Sequence, residues 1–243
     1  MMRRLLAVAA LPLLMVLLLV GPGSLAWAGE VQEAVLAGGC FWCLEHDLES
    51  IPGVLSAESG YSGGHVRRPT YRQVSGETTG HQESVRVRFD PGEISYATLL
   101  RHYWRNVDPL DGGGQFCDRG DSYRPVIFTN GLDQASDAEA SADAATQELG
   151  VERDALKVQI RPLDRFWPAE EYHQNYAQRN AVKYNYYRWA CGRDRRLDQV
   201  WGSQAREGRI WQSTNADQSG ITPTGKSEEN LKRSLVLGSP TSQ

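Results

Sequence analysis

Loose alternation of apolar and polar positions over residues 31–37 predicts a strand that runs into Gly38-Gly39-Cys40. From Phe41 the period changes. Phe41, Leu44 and Leu48 recur at helical spacing until Ile51-Pro52-Gly53 stops the helix. Cys40 therefore falls where a strand gives way to a helix N-terminus. Residues 54–61 form a second extended segment, closed by the turn Ser62-Gly63-Gly64. The clearest strand follows, with Val85, Val87 and Phe89 alternating with Arg86 and Arg88 up to Asp90-Pro91-Gly92. Ser95 is placed to cap a helix whose apolar residues Tyr96, Leu99, Leu100, Tyr103, Trp104 and Val107 share one face.

A glycine-rich loop over residues 111–123 leads to a strand at 125–128, then an alanine-rich helix from about 133 to 149 stopped by Gly150, then a strand near 156–160. This order predicts an α+β fold, a two-layer sandwich of ferredoxin-like kind. Residues 162–201 are expected to form a mostly irregular C-terminal wrap with short helices around 170–180 and 195–201. Beyond Gly202 the chain is polar and charged, so residues 203–243 are expected to be a disordered tail.

Composition changes the picture mainly at the N-terminus. Arg3 and Arg4 precede an apolar run over residues 5–20, then Gly21-Pro22-Gly23 and the small-residue site Ala26-Trp27-Ala28. These are the parts of a secretory signal peptide, with cleavage expected after Ala28 and an uncleaved anchor as the alternative. The expected organisation is thus a signal peptide at 1–28, one catalytic domain at 29–202 and the tail, in an exported, periplasmic protein. The whole chain carries 26 Lys+Arg against 30 Asp+Glu. Loss of Arg3 and Arg4 leaves 24 against 30, a formal charge of −6, which gives no support to nucleic-acid binding, since that requires a basic face. No other segment is apolar enough to cross a membrane. At 40% hydrophobic residues the chain can bury one sizeable core without covalent staples, so its four cysteines need not be structural.

Cys40 is the sharpest chemical feature. A thiol at a helix N-terminus faces unsatisfied N–H groups and the positive end of the helix dipole, so a lowered pKa is expected. The competing reading is a structural Cys40–Cys43 bridge. Phe41 packs under the helix or lines a pocket; Trp42 breaks the core periodicity, which favours the pocket. Glu83, in Gly80-His81-Gln82-Glu83, has the parity of Val85 and Val87, and a carboxyl group entering a core has a raised pKa and can donate a proton. The alternative is a solvated acid at a strand end. His65, His81 and His173 are expected to make structural hydrogen bonds, and Arg67-Arg68 to sit on a solvated loop. One C-x-x-C pair without a second disfavours zinc.

Gly39-Cys-Phe-Trp42, Gly60-Tyr-Ser-Gly-Gly64, Gly80-His-Gln-Glu83, Gln115-Phe-Cys-Asp-Arg-Gly120 with Tyr123-Arg124, and Pro168-Ala-Glu-Glu-Tyr-His-Gln174 together resemble the A-type peptide methionine sulfoxide reductases, over about residues 31–202. That resemblance implies a thiol-dependent reduction of methionine S-sulfoxide, free or in proteins, with no bound cofactor or metal. It makes Cys40 the nucleophile and has Phe41 and Trp42 hold the sulfoxide methyl. Glu83, Tyr61 and Tyr123 surround the sulfoxide oxygen, with Asp118 supporting them. A sulfenic acid forms on Cys40. Cys191 is the implied resolving thiol, with Cys43, where many relatives carry Gly, as the alternative; Cys191 is favoured because exchange suits a mobile segment. Cys117 is expected to be a free buried thiol. A thioredoxin-like dithiol protein is the implied reductant, and a monomer is expected. A thioredoxin-like oxidoreductase built on Cys40 and Cys43 is the competing enzyme, against which stands the absence of a Trp just before the first cysteine.

Overall fold

The computed structural model describes residues 30–206. The signal segment expected at 1–28 lies outside the described residues, as does the expected tail beyond Arg206. Strand β1 (Gln32–Ala37) runs into helix α1 (Phe41–Glu49), followed by β2 (Val54–Ser62), the short helix α2 (Tyr71–Ser75), β3 (Gln82–Phe89) and α3 (Tyr96–Trp104). A small ribbon, β4 (Gly114–Gln115) and β5 (Asp118–Arg119), and a 3-10 turn at Asp121–Tyr123 precede β6 (Val126–Thr129) and the long helix α4 (Leu132–Leu149). Strands β7 (Gln159–Pro162) and β8 (Phe166–Pro168) and helices α5 (Tyr176–Arg179), α6 (Ala181–Cys191) and α7 (Arg193–Trp201) complete the fold.

The main sheet has the order β7-β6-β1-β3-β2-β8. Neighbours are antiparallel except β6 and β7. Alternation along β1 divides the two faces. Ala34 and Leu36 join Val85, Val87, Phe89 and Ile127 in the main core, against Phe41, Leu44 and Leu48 of α1, Leu99 and Leu100 of α3, and Ala138 and Ala142 of α4. Val35 and Ala37 turn to the other face with Val126 and Phe128. The fold is thus a mixed α+β arrangement. Ser95 caps α3 as expected, its Oγ accepting from the Thr98 N–H at 3.1 Å. The Tyr103 hydroxyl donates to the Ala37 carbonyl at 2.8 Å and so anchors the end of β1, where the chain turns toward Cys40.

Two expectations shift. The last core strand begins at Gln159 rather than near 156, because it is a parallel edge strand whose ladder starts where β6 starts, Val126 opposite Gln159. Leu156 and Val158 are buried all the same, from an extended approach. The C-terminal region is not mostly irregular: β8 extends the sheet beside β2, and residues 176–201 are largely helical. No apolar stripe announces α6, since its buried positions are Tyr184 and Arg188. It is fixed instead by charge. Arg188 donates from Nη1 to both Asp47 oxygens at 3.0 and 3.2 Å, and its Nε and Nη2 donate to Asp194. The buried Arg193 approaches the same Asp47 at 3.6 Å. Past α7, Arg206 donates to the Asp194 carbonyl at 2.7 Å, so residues 203–206 belong to the folded body. Among the described residues no helix is long and apolar enough to cross a membrane.

Asp47→Ala strands buried guanidinium charge and is expected to cost about 3–5 kcal/mol in urea denaturation; a loss below about 1 kcal/mol contradicts the idea that this ion pair, rather than apolar packing, docks α6.

Candidate active site

The turn between β1 and α1 is built for close approach. A side chain on Gly38 would meet Val107 Cγ1 at 2.7 Å. Gly39 has φ +83°, a conformation that L side chains rarely adopt, and a Cβ there would lie 2.6 Å from the Cβ of buried Gln115. Gln115 in turn fixes its own loop, accepting from the Asp108 N–H and donating to the Asp108 carbonyl, both at 2.8 Å. Cys40 thus sits at the N-cap of α1, packed against the segment that carries Cys117 and Asp118.

Sheet order brings the partners. Ala37, at the end of β1, pairs with Ser84, so Glu83 at the start of β3 stands beside the helix N-terminus; across β3, Tyr61 of β2 pairs with Glu83. Glu83 is buried, as its parity requires, and its Oε2 accepts the Phe41 N–H at 3.0 Å. Burial pushes its carboxyl up to about 8 against that hydrogen bond, helped by the charge of Asp118. Glu83 is therefore a carboxylic acid at neutral pH.

The phenols divide differently from expectation. The Tyr61 ring is fully buried and its hydroxyl donates to Glu170 Oε2 at 2.8 Å, so it is already engaged. Glu170 Oε1 accepts the Tyr71 N–H, also at 2.8 Å, which places Tyr71 over the site. The Tyr71 and Tyr123 hydroxyls are hydrogen-bonded to each other. Both phenols are held up by burial and by the nearby Glu83 and Cys40, and so stay protonated. Sequence reasoning missed Tyr71, although Thr70 and Gln73 are spaced as a capping box; the Gln73 side chain accepts the Thr70 N–H at 2.9 Å. Asp118 of β5 accepts the Tyr187 hydroxyl at 2.5 Å, and burial raises its pKa. Tyr187 too was missed.

Phe41 and Trp42 lie among aromatic rings. The Phe41 ring is 5.9 Å from Tyr61, 6.4 Å from Tyr71 and 4.9 Å from His173. Trp42 stacks on Tyr176 at 3.7 Å and donates from Nε1 to His173 Nδ1 at 3.0 Å. His173 is thereby a hydrogen-bond acceptor that orients Trp42, and burial keeps it neutral by lowering its pKa.

The cysteines give three corrections. Cys40 and Cys43 are free, buried and hydrogen-bonded through their side chains, one helical turn apart. Burial lifts the Cys40 thiol well above the usual range, reinforced by Cys43, Glu83 and Asp118. The expected lowering at the helix N-terminus is thus overridden, because the Phe41 N–H is given to Glu83 and a dipole term of about 0.3–1 kcal/mol is small beside the desolvation of a buried thiolate. Cys43 moves the other way, down to about 7, through the hydrogen bond from Cys40 and then the charges of Arg193 and Arg188, against burial. Cys117 is exposed rather than a free buried thiol, and it is disulfide-bonded to Cys191. Cys191, expected on a mobile segment, ends helix α6, with Gly192 in the left-handed conformation behind it.

Buried acid, paired thiols, two phenols and an aromatic wall make a site that can break a polar bond to oxygen by supplying protons on one side and a sulfur nucleophile on the other. Comparison with known proteins agrees. The family model described as peptide methionine sulfoxide reductase matches residues 32–205. The chain is 54% identical over 175 residues to peptide methionine sulfoxide reductase MsrA 2 of Caulobacter vibrioides, covering 72% of this chain and 88% of that one. It is 45% identical over 180 residues to MsrA of Bacillus licheniformis, covering 74% and 99%. Among solved structures it is similar to methionine sulfoxide reductase A of Corynebacterium diphtheriae, with TM-score 0.59 and 29% identity over 64% of this chain and 78% of that one. Mxr1 of Saccharomyces cerevisiae in its reduced form gives TM-score 0.58 and 25% identity over 63% and 87%. The chain belongs to the peptide methionine sulfoxide reductase family.

Proposed function

We propose that Cys40 and Glu83 carry out the family's reduction of methionine sulfoxide in this chain, acting on the S epimer, free or in proteins. The observation that carries the reading is the Phe41 N–H bound to a buried, un-ionised Glu83, which fixes an acid beside the residue bearing the nucleophile. Near neutral pH the Cys40–Cys43 pair shares one negative charge, held chiefly by Cys43. As Cys40 attacks the sulfoxide sulfur its proton passes to Cys43. The attack forms an S–S bond and Glu83 protonates the sulfoxide oxygen; the hydroxyl then passes to Cys40 Sγ as the S–O and S–S bonds to the methionine sulfur break, leaving methionine and a Cys40 sulfenic acid. Tyr71 and Tyr123 hydrogen-bond the same oxygen, while Tyr61 holds Glu170; this reading gives Tyr71 the place first expected of Tyr61. Asp118, through Tyr187, supports the acid side. Phe41 and Trp42 take the sulfoxide methyl.

A second thiol then condenses with the sulfenic acid and releases water. Cys191 is the resolving thiol in this reading, and Cys43 the alternative. A thioredoxin-like dithiol protein returns the disulfide to thiols, with no bound cofactor. A monomer suffices, since every group named belongs to one chain. The strand order β6-β1-β3-β2, all antiparallel, supports reading the core as ferredoxin-like. Arg3, Arg4, the apolar run and Ala26-Trp27-Ala28 support export to the periplasm.

Cys40→Ser is expected to release no methionine from methionine sulfoxide. Glu83→Gln is expected to slow the chemical step by roughly 10²- to 10⁴-fold, the range of a positioned general acid; an unchanged single-turnover rate means the phenols suffice. The pH profile follows from the two ionisations. Raising pH through about 7 removes the proton from the thiol pair and creates the nucleophile. Raising it through about 8 ionises Glu83 and removes the acid. Single-turnover rate should therefore rise and then fall, with Glu83→Gln abolishing the falling limb and Cys43→Ala moving the rising limb to higher pH. A falling limb that persists in Glu83→Gln contradicts the assignment. For export, mass spectrometry of the protein recovered from the periplasm should find Gly29 as its first residue; an intact Met1 in that fraction contradicts cleavage.

A further inference from the structure

We propose that reduction of the Cys117–Cys191 disulfide uncovers a site for a soft divalent cation of the zinc type, held by the two thiolates and the Asp118 carboxylate, and that the bound ion withholds Cys191 from Cys40. The site itself stands on these three residues alone; the withholding rests on the reading of Cys191 as the resolving thiol.

Fold rather than spacing assembles the ligands. Cys117 lies in the turn between β4 and β5, Asp118 begins β5 and Cys191 ends α6, so a search for ligands close in sequence passes over them. One ligand atom from each lies within 4.8 Å of the other two. Zinc bonds of about 2.0–2.3 Å set tetrahedral ligands roughly 3–4 Å apart, so small side-chain movements close the set around an ion. Two thiolates select a soft ion over calcium or magnesium. Cys117 is exposed and the other two are half-buried, which gives an ion in solution access and leaves its fourth position to water.

The surroundings suit a metal thiolate. Tyr187 donates to Asp118 Oδ2 at 2.5 Å, which orients the carboxylate and leaves its other oxygen for an ion. The Cys117 N–H lies 3.1 Å from Cys191 Sγ, and once that sulfur is a thiolate it receives this donor. Two thiolates and a carboxylate carry one negative charge more than zinc cancels. Arg193, whose charge acts on Asp118 and whose guanidinium lies 4.4 Å from the Phe116 ring, balances the remainder. The inner thiols are placed differently: Cys40 and Cys43 are 7% and 2% exposed, and both Arg188 and Arg193 act on Cys43, against a further cation. On binding, each outer thiol gives its proton to water as its sulfur bonds the ion, and no electron is transferred. The Cys191 lone pair is then committed to the metal, so the sulfenic acid on Cys40 persists until the ion leaves.

The test uses the whole chain, reduced with a phosphine, freed of it without air, and offered zinc alone or cobalt alone. Wild type should take up one zinc per chain, give thiolate-to-metal absorption with cobalt, and show Cys117 and Cys191 shielded from alkylation by the ion. The same protein with its disulfide closed should take up none, a comparison that needs no variant. Cys117→Ser should bind zinc at least about 100-fold more weakly, and Tyr187→Phe about 10- to 100-fold more weakly. Zinc uptake that survives closure of the disulfide, or that leaves Cys117 and Cys191 open to alkylation, overturns the site. Given methionine sulfoxide, zinc-loaded wild type should release its first methionine and hold Cys40 as a sulfenic acid that dimedone traps. A Cys40–Cys191 disulfide formed at the metal-free rate overturns the withholding. Metal-free wild type that releases no methionine overturns instead the catalytic reading, and leaves the zinc measurements standing.

Discussion

The Phe41 N–H and the Glu83 carboxyl meet at 3.0 Å at the first turn of a helix, out of contact with water, and the site takes its character from what burial does to that pair. A backbone N–H at a helix N-terminus would ordinarily favour a carboxylate. Here desolvation wins, and the acid titrates near 8 rather than at its ordinary 4.5. The same contact denies the helix N–H to the cysteine beside it. Burial, reinforced by Cys43, Glu83 and Asp118, lifts Cys40 well above the usual thiol range, while Cys43, one turn on, is lowered to about 7 by its hydrogen bond with Cys40 and by the charges of Arg193 and Arg188.

That division of charge explains why α6 and α7 are needed. Arg188 and Arg193 do two jobs at once: they lock the C-terminal helices onto Asp47 of α1, and their charge lowers Cys43. The same helix α6 supplies Tyr187 to Asp118 and Cys191 to the disulfide. The ion pair to α1, the hydrogen bond to Asp118 and the disulfide thus meet on one element. Across the site, Tyr176 and His173 fix both the plane and the rotation of Trp42 through a stacked face and a hydrogen-bonded indole N–H.

What the sequence made legible was local. Residue parity placed Glu83 in the core, periodicity placed Cys40 at a helix start, and Ser95 announced its helix. Interactions between distant residues were not legible. The Asp47–Arg188 pair spans 141 residues and occupies a position where an apolar residue was sought, so α6 read as irregular. The Cys117–Cys191 bond likewise depends on a ribbon only two residues wide per strand, too short for any periodicity. Tyr61 and Tyr71 show the limit most sharply. Both are tyrosines near the site, but the Tyr61 hydroxyl donates to Glu170, whereas Glu170 takes only the backbone N–H of Tyr71 and leaves its hydroxyl to Tyr123. For Cys40, the helix dipole could be inferred from the chain, whereas burial and the neighbouring acids belong to the assembled fold.

The central claim is that Glu83 holds its proton at neutral pH. Infrared difference spectroscopy of wild type against Glu83→Gln, followed through a pH titration, reads that proton directly from the carboxylic C=O stretch. The account predicts a band present at neutral pH that disappears with a midpoint near 8. A carboxylate already formed at neutral pH, with its midpoint near the ordinary 4.5, would contradict it.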